Sequence, residues 1–226
     1  MFSDFIIEYK WPLLMAAEKL ELPSFPTMLR RFLYDQLYPD SSIPSSDLSV
    51  HAYPQFYGRV SIFYNATVTF RAPSDLSGIR CMRHEYIRAT PSWRKGCPRY
   101  DTVYINFDPS QEGMRGLEVA RVLTFFSFMH EGKPYQYALI HWFSRVENEP
   151  DEDTGLWVVE ADFNDDGKPD LAIVHVDTIY RASHLMPVYQ SSQYLCRSLT
   201  MHDTLDVFDK FYVNKFVDYH AFQIAS

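Results

Sequence analysis

The sequence predicts an α+β fold that is mainly β, a distorted β-barrel or curved antiparallel sheet flanked by N- and C-terminal helices. Three observations carry this. Leu117–Tyr189 reads as consecutive strand-like runs separated by turn residues. Aromatic residues make up 16% of the chain, which favours a dense β-rich core over a Leu/Ala helical bundle. Helical periodicity is confined to the two ends.

Residues 1–22 read as helical, with Ile6, Ile7, Leu13, Leu14 and Leu20 at mixed helical spacings and Pro12 as a break. After Pro23 and Pro26, Thr27 is expected to cap a helix Met28–Tyr38 whose Leu29, Phe32, Leu33 and Leu37 form an apolar stripe. Pro39–Asp47 is a Ser/Pro-rich loop. Val60–Phe70 is a long strand candidate. Ala72–Arg99, punctuated by Pro73, Gly78, Pro91, Gly96 and Pro98, is expected to be a largely irregular insertion.

Asp101–Phe107 is the next strand. Val119–Phe128 and Tyr135–Phe143 form a hairpin around Gly132-Lys-Pro134, with Trp142 expected to be buried. Leu156–Glu160 and Leu171–Val176 are two more strands, with the tight-turn signal Asn164-Asp-Asp-Gly167 between them. Thr200–Phe222 is expected to close the chain as a helix capped by Asp203, with Leu205, Phe208, Phe211 and Tyr212 at helical spacing. The expected organisation is a helical and loop segment 1–58, a barrel-like domain 59–199 containing the basic insertion 72–99, and a helix in 200–226 packed on it.

At 226 residues the chain can bury a sizeable core in one domain. A hydrophobic share of 46% against 22% charged is globular and excludes a disordered chain. No apolar run approaches the roughly 20 residues of a membrane span, so no membrane partner is expected. No apolar segment precedes a small-residue cleavage site, so we read no secretory signal. Cys81, Cys97 and Cys196 are odd in number and widely spaced; we expect reduced thiols in an intracellular protein.

Net charge is −8, which argues against the whole molecule being a nonspecific polyanion binder. The charge is nevertheless uneven. Arg80, Arg83, Arg88, Arg94, Lys95 and Arg99 crowd one stretch, opposed within it only by Glu85. Tyr86, Trp93 and Tyr100 are interleaved. Basic residues can track phosphates while aromatic rings stack bases, so Arg83, Arg88, Trp93, Arg94, Lys95 and Arg99 are candidate nucleic-acid contacts. The competing reading is that these arginines pin a loop to the barrel and pair with the acidic stretch Glu147–Asp170.

Asp162, Asn164, Asp166 and Asp170, around Gly167, offer oxygen ligands at spacings that resemble the start of a calcium loop. The twelfth position, where an EF-hand needs a bidentate Glu, is Ile173, and the flanks read as strands. A hairpin tip with solvated acids is the reading we favour. Cys81, His84 and Cys97 supply three of the four ligands of a structural zinc site, with no fourth at a recognisable spacing. Asp108 and Asp177 each end a predicted strand and could hold magnesium ions for a nuclease. Gly-x-Ser-x-Gly is absent, so Ser127 with His130 and Ser183 with His184 form no nucleophile motif. We expect no cofactor and no catalytic group.

Seven strings occur together: Phe32–Asp40, Phe70–Ile79, Tyr86–Arg94, Gly113–Gly116, Leu139–Arg145, Pro150–Trp157 and Phe211–His220. Together they resemble the C-terminal region of the Plavaka/KDZ-type transposon proteins of mushroom-forming fungi. The resemblance spans nearly the whole chain. It implies a transposase-associated module whose nuclease acids belong to an upstream domain, and a nuclear location. Ala120–Tyr189 is similar in strand order to bromo-adjacent-homology domains. Those are distorted β-barrels that act as interaction platforms, and the similarity implies a protein or chromatin partner. The expected function is a non-catalytic binding module, with a nuclease remnant and a calcium-binding β-domain as alternatives.

Overall fold

The structure is a computed structural model, and it describes residues 2–3, 7–73, 79–189, 199–200 and 202–226. Cys196 lies outside the described residues. The spine is a long hairpin, β8 (Leu117–His130) and β9 (Lys133–Arg145). Its two-residue turn, Glu131-Gly132, has positive φ at both positions, the geometry that matches strand twist. A register shift between Val122 and Thr124 divides the hairpin into two halves that recruit different partners.

Near its base, β8 pairs with β7 (Thr102–Asn106), which pairs with β12 (Ile179–Ser183). On the other side β9 carries β10 (Val158–Ala161), β14 (Lys210–Val213) and β13 (Leu185–Pro187) in turn. Near the turn, β8 pairs with β3 (Arg59–Phe63) and β9 with β11 (Leu171–His175). β2 (Ile7–Pro12) extends β3. All these ladders are antiparallel, and the sheet curls into a half-barrel. A second sheet, β1 (Phe2–Ser3), β4 (Asn65–Arg71), β5 (Met82–Thr90) and β6 (Arg99–Tyr100), packs against one face.

The spine's alternation feeds both faces. Ala120, Val122, Phe125, Ala138 and Ile140 meet the second sheet. Phe126, Phe128, Tyr137 and Leu139 point the other way, onto α1 (Leu13–Lys19) and α2 (Phe25–Leu37). Leu29 and Leu33 of α2 are fully buried there, and Phe25 meets Phe126 edge-on at 5.2 Å. Leu117, Val119 and Phe143 share a third cluster with Phe208, Phe211 and Val213. Among the described residues, no helix is long and apolar enough to cross a membrane.

The expected mainly β, curved-sheet fold is what the structure has. Five expectations change. The helix expected over 1–22 is two strands followed by the short α1, because β1 and β2 find sheet edges to pair with. Val60–Phe70 is two strands that part at Tyr64, whose carbonyl accepts from the Ala89 amide. The supposedly irregular insertion contains the nine-residue β5, whose Met82–Arg88 pair in unbroken register with β4. The C-terminal helix is instead α3 (Thr204–Val207), β14 and α4 (Tyr219–Ile224), since the middle of that segment is held between β10 and β13. Trp142 is half-buried against the core rather than enclosed.

Candidate nucleic-acid interface

β5 sorts the basic candidates by parity. Ile87 and Ala89 point into the core, so Arg83 and Glu85 share that side, while Tyr86 and Arg88 point outward. Beyond β5 the chain reverses over Trp93–Cys97. The Trp93 amide donates to the Cys97 carbonyl and the Gly96 amide to the Trp93 carbonyl. Arg94 and Lys95 both sit at positive φ, 52° and 64°. Non-glycine side chains there cost roughly 1 kcal/mol or more each, and this turn places the returning β6 beside β5.

The result is a corner of guanidinium groups around one indole. Arg88 lies 4.4 Å from the Trp93 ring centre, Arg94 5.4 Å and Arg99 5.5 Å. Arg88 is also 5.8 Å from Tyr86. Among the described residues, Asp101 is the one carboxylate seen in the corner. It pairs with Arg99 Nε at 2.7 Å and accepts from the Arg88 backbone amide. Partial burial, then the neighbouring charges of Arg99 and Arg94, push the Arg88 pKa down, against the pull of Asp101. Lys95 is exposed on the same turn. Arg83 is not part of the corner; it lies on the opposite side of β5.

The acidic stretch does not supply the counter-charge seen at this corner. Glu160 faces Lys210 at 4.0 Å, and Asp151 and Asp162 accept from Thr154 and Ser144. Glu85, the lone acid within the basic run, turns inward to Arg181.

Arg181 is the group that sequence reasoning missed. It is fully buried on β12. One terminal nitrogen donates to Glu85 at 2.5 Å and Asp218 at 2.6 Å. The other donates to Asp218 at 2.9 Å and to His220 Nδ1 at 3.1 Å. Its guanidinium lies 4.7 Å from the Phe70 ring centre. Burial by itself would lower its pKa, but the Asp218 hydrogen bonds and the Glu85 charge outweigh that and raise it. Asp218 is held far below the usual carboxylate range, by Arg181 first and also by the Ala221 amide. Burial, then Arg181, lowers His220, which accepts as neutral imidazole. The hydroxyls of Tyr104 and Ser183 are buried without a partner. The available signal was parity: Ile179, Arg181 and Ser183 alternate inward, with a charge in the middle.

A cavity of about 540 Å³ opens beside the arginine corner, between β5–β6 and β12–β13. Arg99 and Tyr86 belong to both cavity and corner, and Ser183 lies on the opposite wall.

The remaining candidates are dispersed or engaged. Asp162–Asp170 is a hairpin tip. Asn164 Oδ1 accepts from the Asp166 and Lys168 amides at 3.1 and 3.0 Å, and Ser144 donates to the Asp162 carboxylate. Cys81 and Cys97 lie beyond opposite ends of β5, a strand spanning about 30 Å at its per-residue rise. His84 is bonded to Thr69. The β12–β7 register brings Asp108 and Asp177 to one end of that strand pair, but Asp108 accepts from Ser110 and Asp177 faces His175. Among the described residues no three His, Cys, Asp or Glu side chains converge as a metal site. Comparison with family models, curated proteins and solved structures finds no match for this chain.

Proposed function

We propose that the protein is a non-catalytic binding module that contacts nucleic acid phosphates through Arg88, Arg94, Lys95 and Arg99. The observation that carries this is the gathering of Arg88, Arg94 and Arg99 around Trp93 with Asp101 as their built-in acid. Cations left under-compensated at a surface gain most from a polyanion, because binding releases its condensed counterions. The sequence's resemblance to fungal transposon proteins accords with such a partner and with a chromatin setting. Trp93 acts here by positioning guanidinium groups, since Arg88 already lies at stacking distance from it.

The test is anisotropy of a labelled short oligonucleotide at increasing salt. Binding weakens steeply with salt, and each of Arg88→Ala, Arg94→Ala and Arg99→Ala flattens the log–log slope by about one. Trp93→Ala weakens binding with little change in slope, as the charges stay but lose their placement. Affinity that survives the triple arginine variant would refute this reading.

A further inference from the structure

We propose that the cavity beside the arginine corner receives an unpaired nucleobase, so that the site selects single-stranded nucleic acid over duplex. This rests on reading the corner as a phosphate contact. Arg99 stands at both corner and cavity, so a backbone held at the corner has its next base at the cavity mouth. The volume, about 540 Å³, suits a small-molecule-sized group. Tyr86, Tyr100 and His184 supply ring surface. Arg88 lies 5.8 Å from the Tyr86 ring centre, a ring that is otherwise exposed, and Arg121 lies 5.4 Å from the Tyr100 ring centre, a ring that also packs against the core.

The electrostatics permit an electron-rich guest. Among the described residues, the two lining carboxylates, Glu85 and Asp101, are already paired, with Arg181 and Arg99. A paired base cannot enter, because its edge and faces are taken up inside the stack.

The experiment compares wild-type binding of a pyrimidine oligonucleotide, an abasic strand of the same length and backbone charge, and a duplex. The base-bearing strand binds about tenfold tighter than the abasic one, with the same salt slope. The duplex binds like the abasic strand. Met186→Trp, which fills the cavity from a half-buried wall, brings the base-bearing strand down to the abasic level and leaves the abasic affinity unchanged. Equal wild-type affinities for base-bearing and abasic strands overturn the inference while leaving the arginine corner standing. No binding of any strand at low salt removes both. The wild-type comparison decides the matter even where Met186→Trp fails to fold.

Discussion

Two groups of arginine lie on either side of β5, and they are built in opposite ways. Inside, Arg181 is fully buried and meets two carboxylates, an imidazole and a ring face. Outside, Arg88, Arg94 and Arg99 crowd one indole, and among the described residues Asp101 pairs with the guanidinium of Arg99 alone of the three. The inner cation is over-compensated, so its work is to hold the chain together: Asp218 and His220 come from the C-terminal segment, Glu85 from the second sheet. The outer cations are under-compensated and available. The residue type is the same; the ratio of acid to base around it separates a structural charge from a binding one.

The largest effect belongs to the inner group. Arg181→Met leaves Glu85 and Asp218 facing each other without a cation. Breaking a buried pair this way costs about 3–5 kcal/mol, and the partial exposure of both acids places this case at the low end. Arg181→Lys also loses stability, because an ammonium cannot bridge both oxygens of Asp218 through two nitrogens. Denaturant unfolding measures both. Replacing Glu85 and Asp218 by their amides in the Arg181→Met background recovers part of the loss. A stability loss under about 1 kcal/mol in Arg181→Met would erase the contrast between the two groups.

A smaller effect is read by pH. His220 has a lowered folded pKa, so its contribution is complete above the ordinary value of about 6.5 and declines as pH falls below it. Asp218 also has a lowered folded pKa. Its contribution is complete above about 4 and is lost in stronger acid. The groups facing His220 are Arg181, Asp218 and Tyr180, with Phe70 stacked at 4.9 Å. Melting temperature therefore falls in two limbs on acidification. His220→Asn keeps an acceptor near the Nδ1 position and cannot be protonated, so it flattens the upper limb and leaves the lower one. An unchanged upper limb would place the proton-linked group elsewhere.

The long hairpin was legible because every signal agreed: β-branched and aromatic residues, alternation, and Gly132 at the turn. β5 was hidden because its inward positions begin with Arg83 and Glu85, which break the apolar alternation a buried strand face presents. β14 read as helix because Phe208, Phe211 and Tyr212 fit a 3.6 period, yet the open backbone edges of β10 and β13 decide that segment. The residue types of the corner were legible, but their convergence was not. It depends on left-handed backbone at Arg94 and Lys95, which no glycine announces. Arg181 was overlooked because its partners lie far away in sequence, at Glu85 and Asp218.

The smallest effect sharpens the comparison with a third group of like charges. Asp162, Asp165, Asp166 and Asp170 crowd one tip as the arginines crowd theirs, but the tip is held by an amide. Asn164 Oδ1 takes two backbone N–H groups, and the Phe163–Pro169 bridge closes the hairpin below it. Asn164→Ala frees two exposed amides that water can satisfy, so the cost is about 1 kcal/mol. If the turn rather than an ion organises the tip, that cost is the same with and without calcium, and calcium leaves the wild-type melting temperature where it was. A calcium-dependent rise that vanishes in both Asp162→Ala and Asn164→Ala would make the acidic tip a cation site. It would then be the counterpart of the arginine corner: like charges kept together for a ligand of opposite sign.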